Sequence, residues 1–158
     1  MLENQTPTSI MKSLYISTDN KEVIERINKL SPESKALWGK MTVSQMLAHC
    51  TEGFKSAFGD TKPKRSFMGK LFGGIAKKSV LGDKPFKKGL PTDKSFVIKD
   101  DRNFEEEKKV LIGYIIRFEK GEDVLTKDPH PFFGEFTSHE WDVLMMKHLD
   151  HHLSQFGA

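Results

Sequence analysis

Three times in this chain a Thr or Asn stands three residues before a Glu or Gln at the head of an amphipathic run: Thr42–Gln45, Asn103–Glu106 and Thr137–Glu140. Such a pair satisfies two of the backbone N–H groups that the first turn of a helix leaves without partners, so each marks a helix start. The runs behind them repeat apolar residues at helical spacing. Val43, Met46, Leu47, Cys50, Phe54 and Phe58 follow the first; Leu111, Tyr114, Ile115 and Phe118 the second; Trp141, Met145, Leu149, Leu153 and Phe156 the third. Thr18 or Asp19 can cap an earlier run in which Val23, Ile24, Ile27 and Leu30 share a stripe. Helices are therefore predicted over about 20–30, 42–58, 104–120 and 137–157. Gly59, Gly121 and Gly157 are placed to end the last three. Only Ser95 to Lys99 reads as a short extended piece.

Four amphipathic helices predict an all-α four-helix bundle. The connection between the second and third, residues 60–103, is far longer than the usual ~2–8 residues between antiparallel neighbours. It predicts a crossover and hence up-down-down-up order. A chain of 158 residues suits one domain, over 11–158, with the polar, Pro7-containing residues 1–10 read as a loose extension. No run approaches the ~20 apolar residues of a membrane span, and no apolar signal-peptide segment opens the chain. The single cysteine, Cys50, excludes an internal disulfide and suits a reducing, cytoplasmic setting. Next to His49 in sequence, it reads as a small buried hydrophobe rather than a reactive thiol.

Charge is unevenly spread. From Lys62 to Lys94 ten Lys or Arg stand against Asp83 and Asp93, whereas the whole chain carries only +3. Within this stretch Phe67, Leu71, Ile75 and Phe72 can form an apolar stripe on a short helix. Gly69, Gly73, Gly74, Gly82 and Gly89 suggest a mobile lid or cover. No G-x-x-x-x-G-K-[ST] phosphate loop is present. The preferred reading is a solvated crossover that packs Phe67 and Leu71 on the bundle, which disfavours nucleic acid and membrane as partners. Association of this basic segment with an anionic membrane or nucleic acid is the rival reading.

Histidine placement carries the chemistry. His148 and His152, four residues apart, lie on one helix face, one turn from each other. His49 sits mid-face on the second helix, with Gly53 one turn on leaving space beside its ring. Three neutral imidazoles around a divalent ion leave a position open, as catalytic centres do, and metal-bound water would then be the reactive group. Glu52 can reach the site as a base or be a solvated face residue; Gln155 can orient a ligand or cap the helix end. His151, roughly 100° round the helix from His152, reads as a bystander, His139 as solvated and His130 as structural. On spacing alone, three hydrogen-bonded core histidines remain the alternative to a metal site.

Three stretches carry a family likeness: Trp38-Gly39-Lys40-Met41-Thr42 leading into Gln45-Met46-Leu47-Ala48-His49; His130-Pro131-Phe132-Phe133-Gly134; and Lys147-His148-Leu149-Asp150-His151-His152-Leu153-Ser154-Gln155-Phe156-Gly157. With them the chain resembles the DinB/YfiT-like superfamily of metal-dependent four-helix bundles, in one of its domain-of-unknown-function branches. The resemblance implies an up-down-down-up bundle and a divalent metal, nickel or zinc, on His49, His148 and His152. It also implies a thiol-dependent transferase or isomerase that uses a low-molecular-weight thiol, and a homodimer; taken with the histidine site, the reading is a metal-dependent transferase or hydrolase. The rival function is a non-catalytic, metal-stabilised binding module.

Overall fold

The computed structural model describes residues 11–158, and among these the protein is all-helical. The expected extension over 1–10 lies outside the described residues. Five α-helices are present: α1 (Ser17–Asn28), α2 (Val43–Phe58), α3 (Phe67–Leu81), α4 (Phe104–Phe118) and α5 (Ser138–Gln155). Single 3-10 turns lie at Lys94–Phe96 and Glu122–Val124, and the described residues contain no strand, only an isolated bridge between His130 and Gly134.

The capping signatures place the helix starts to the residue. Thr42 and Thr137 each accept from the backbone N–H three residues on, while Gln45 and Glu140 reach back to the caps. Asn103 accepts from Glu106 N. Gly59 ends α2 in the left-handed conformation, at φ 71°. The first helix departs from expectation. It begins at Ser17 with no side-chain cap, because the residue at the cap position is Ile16; Asp19 lies within the first turn, where its carboxylate accepts from Ser13 N and holds the preceding segment.

Helix α2 is central, and 12 of its 16 residues are buried. It packs on α4 and α5, and α1 packs on the same two. The α2–α4 seam is aromatic: Phe58 stacks on Tyr114 at 5.8 Å between centroids, and Phe118 meets Phe54 edge-on at 5.9 Å. Buried Asn20 ties α1 to this seam, donating to Leu14 O and Ile115 O. Arg26 of α1 pairs with Asp150 of α5 and donates to Ala158 O.

The expected crossover contains a fifth helix, and α3 sits differently from its sequence reading. Its predicted stripe exists, but Phe67, Leu71, Phe72 and Ile75 face solvent instead of packing on the core. The opposite face carries Gly69 and Gly73, the two buried residues of the helix. A Cβ on Gly73 would lie 2.1 Å from Phe132 O, and one on Gly69 2.7 Å from the same atom. These glycines therefore let the helix backbone approach the 128–134 loop; they are contact residues, not hinges. Ser66 N donates to Pro131 O at the same junction.

Two neighbouring glycine substitutions should have opposite signs. Gly73→Ala forces backbone apart and should cost about 1–3 kcal/mol. Gly74→Ala meets nothing within 4 Å and should stabilise by roughly 0.5–1 kcal/mol through helix propensity and unfolded-state entropy. Urea unfolding of both variants checks the pair.

Candidate metal centre

The cap at Thr42 starts α2 and brings His49 to the face that meets α5; the cap at Thr137 does the same for His148 and His152. The three rings converge, with centroids 4.7–4.8 Å apart and every pair edge-on. One candidate ligand nitrogen from each lies within 4.8 Å of the others. Two nitrogens bound to one ion at about 2.0–2.1 Å can be at most ~4.2 Å apart. The cluster is thus within a side-chain adjustment of binding size.

The donor set suits a divalent cation because the surrounding acceptors settle the tautomers. His49 Nδ1–H donates to Phe96 O at 2.8 Å. Phe96 is held in place by the 3-10 turn that Asp93 caps through Ser95 N. His152 Nδ1–H donates to Gln155 Oε1 at 2.8 Å. The Gln155 amide is itself oriented, since its Nε2 donates to Trp38 O at 2.7 Å. Both rings consequently hold an Nε2 lone pair free for a ligand. His49 Nε2 and His148 Nε2 stand 2.9 Å apart. Two lone pairs so close repel unless a proton or a cation lies between them.

Burial keeps these imidazoles neutral. It pushes His152 down to about 3, with His49 adding to the effect. It lowers His49 against the opposing pull of the Phe96 carbonyl and Glu52. His148 is held well below its ordinary value by burial and then by His152 and His49. Neutral imidazole is the form that binds metal. His49 and His152 are buried residues and His148 is an intermediate one.

Gln155 is the orienting residue for His152. Gly53 borders His148 and Met145, where a Cβ would make ordinary contacts at 3.6 and 3.4 Å. Glu52 pairs with Lys55 at 2.7 Å and makes no hydrogen bond to the three histidines among the described residues. His151 sits between the rings of Trp38 and Phe86 and outside the ligand set. His139 is exposed. His130 is structural: its Nδ1 accepts from Phe132 N and Phe133 N, inside a cage of Phe96, Phe133, Phe136 and Trp141. Cys50 is buried against Met46 and its thiol is pushed far up by burial, so it is inert.

Sequence reasoning missed the Phe96 carbonyl. Ser95 to Lys99 was expected to be extended, whereas Lys94–Phe96 is a 3-10 turn followed by extended Val97. The available signal was Asp93 two residues before Ser95, a turn-forming pair. A groove of about 580 Å³ along α4, lined by Glu106, Lys109, Val110, Gly113, Tyr114 and Arg117, includes none of the three histidines.

A family model described as "Protein of unknown function (DUF1569)" matches residues 10–158, and the chain belongs to that family. Comparison with curated proteins and with solved structures gave no match.

The buried histidines make stability fall on acidification. An unfolded imidazole takes up its proton near 6.5, whereas burial holds folded His130 down to about 4. The unfolded state binds more protons between these values, so stability is full above the unfolded pKa and is lost as pH falls towards the folded one. His130 alone should remove about 2 kcal/mol between pH 7.5 and 5. Urea titrations in chelator across that range check this; a flat or rising stability would contradict it.

Proposed function

We propose that this DUF1569 chain is a metal-dependent enzyme of the DinB-like kind, with His49, His148 and His152 holding one divalent ion, zinc or nickel. The carrying observation is the donor set: His49 and His152 have their Nδ1 protons committed to Phe96 O and Gln155 Oε1, and His49 Nε2 faces His148 Nε2 at 2.9 Å. The contacts of α1 with α4 and α5, and of α2 with the same two, support the four-helix, up-down-down-up reading, with α3 carried on the crossover.

The chain's own residues bind and orient. Phe96 O and Gln155 fix two ring tautomers, and burial keeps all three imidazoles neutral. When bound, the ion supplies Lewis-acid polarisation of a substrate oxygen or sulfur. Transfer involving a low-molecular-weight thiol is the reaction class that resemblance to DinB/YfiT-like proteins favours, and hydrolysis is the alternative that an open metal site would serve. The same resemblance supports a homodimer, and the single buried thiol of Cys50 fits a cytoplasmic setting. A second reading is a metal-stabilised binding module without turnover. The Glu52–Lys55 ion pair favours it, because it occupies the carboxylate nearest in sequence to His49.

Gently purified protein should carry one divalent ion per chain by elemental analysis. His49→Ala, His148→Ala or His152→Ala should each abolish binding, and Gln155→Leu should weaken it by about 10–100-fold. Metal-dependent consumption of a small thiol with an electrophile would separate the enzyme from the binding module. Folded protein that binds no divalent ion at micromolar levels would remove both readings.

A further inference from the structure

Helix α3 is amphipathic in the inverted sense. Its docked face is glycine, and its large apolar residues point away from the protein. Phe67 is 73% exposed and Ile75 75%, with Met68, Leu71 and Phe72 each at least half exposed. At about 100° per residue these five side chains fall within one arc of roughly 140°, opposite Gly69, Gly73 and Val80. The helix cannot roll to bury them, because it is pinned on its other side. Gly69 and Gly73 lie against the Phe132 backbone. Lys77 pairs with Glu140 and donates to Glu135 O, and Lys147 donates to Val80 O and Gly82 O at the C-terminal end.

Cations surround this face. Lys64, Arg65, Lys70, Lys78, Lys84 and Lys87 are exposed. None of the six forms an ion pair among the described residues. On the helix itself Lys78 falls inside the arc near its Phe67 edge and Lys70 about 60° beyond that same edge, where long side chains can bury their stems and keep their ammonium groups in water.

We propose that α3 is an interfacial helix that seats this protein on an anionic phospholipid surface, with Phe67, Met68, Leu71, Phe72 and Ile75 entering the acyl boundary and the flanking lysines meeting the headgroups. The charge argues for lipid over a second copy of the chain. A two-fold contact through α3 would set its basic flanks against their own images, whereas an anionic bilayer complements them along the whole helix. The helix lies in the plane of such a surface and does not span it, since no helix among the described residues is long and apolar enough to cross a membrane.

The test is co-sedimentation of the full chain with phosphatidylcholine vesicles, with and without phosphatidylserine. Binding is expected only to the anionic vesicles, and it should fall by at least about tenfold from 0.1 to 0.5 M salt. The double variant Leu71→Ser, Ile75→Ser should lose binding by more than about tenfold with an unchanged circular dichroism spectrum, because both side chains are exposed. His148→Ala should bind vesicles as the wild type does, which separates this surface from the histidine centre. Absence of binding to anionic vesicles, binding indifferent to the double substitution, or a wild-type dimer that the double substitution converts to monomer would each overturn the proposal.

Discussion

His49 and His148 come from helices whose histidines are 99 residues apart in sequence, yet their Nε2 atoms meet at 2.9 Å in a largely buried setting. With the His148 proton on Nε2 this is a hydrogen bond between two neutral rings, donated to the His49 Nε2 lone pair; with that proton on Nδ1 two lone pairs would face each other and call for a cation between them. The approach persists because α2 is locked against α4 by the Phe54, Phe58, Tyr114 and Phe118 rings, while α1 joins α4 to α5 through Asn20 and Arg26. The packing that makes the core also imposes the histidine cluster. A proton on His148 Nε2 would satisfy this pair alone, whereas a divalent cation would engage all three rings.

The shell around the cluster is drawn in part from segments outside the α-helices. The 3-10 turn at Lys94–Phe96 contributes a carbonyl, and the loop before α2 contributes the Trp38 carbonyl that orients Gln155. Leu37 N donates to Gln155 O, so one residue joins the end of α5 to that loop twice, through its side chain and its backbone. Tautomer control thus depends on the 60–103 connection and the 31–41 link being in place. This is the physical sense in which the long connection belongs to the site.

Helix starts were legible because capping is local chemistry: Thr42, Asn103 and Thr137 act where their side chains alone predict. The three-histidine set was legible for a related reason, since helical spacing puts His148 and His152 on one face and His49 on a facing one. What could not be read depends on tertiary choice. Asp19 had two possible N–H partners, and the fold used Ser13. Phe96 acts through its carbonyl, which every residue possesses. The stripe on α3 was visible as a period, but a period does not say which side of a helix is covered. Gly69 and Gly73 were the informative residues there, because two glycines one turn apart let another backbone come close, and the Phe132 backbone does.

The family assignment leaves the reaction open, so the metal centre must be tested where it is most specific, in the identity of the ligating atoms. Crystals grown with zinc and measured at wavelengths on either side of its absorption edge would locate the ion by anomalous scattering. The account predicts one full-occupancy peak per chain, at about 2.0–2.1 Å from the Nε2 atoms of His49 and His152 and from one ring nitrogen of His148. Absence of a peak among these rings, or coordination through the Nδ1 atoms now bonded to Phe96 O and Gln155 Oε1, would contradict it.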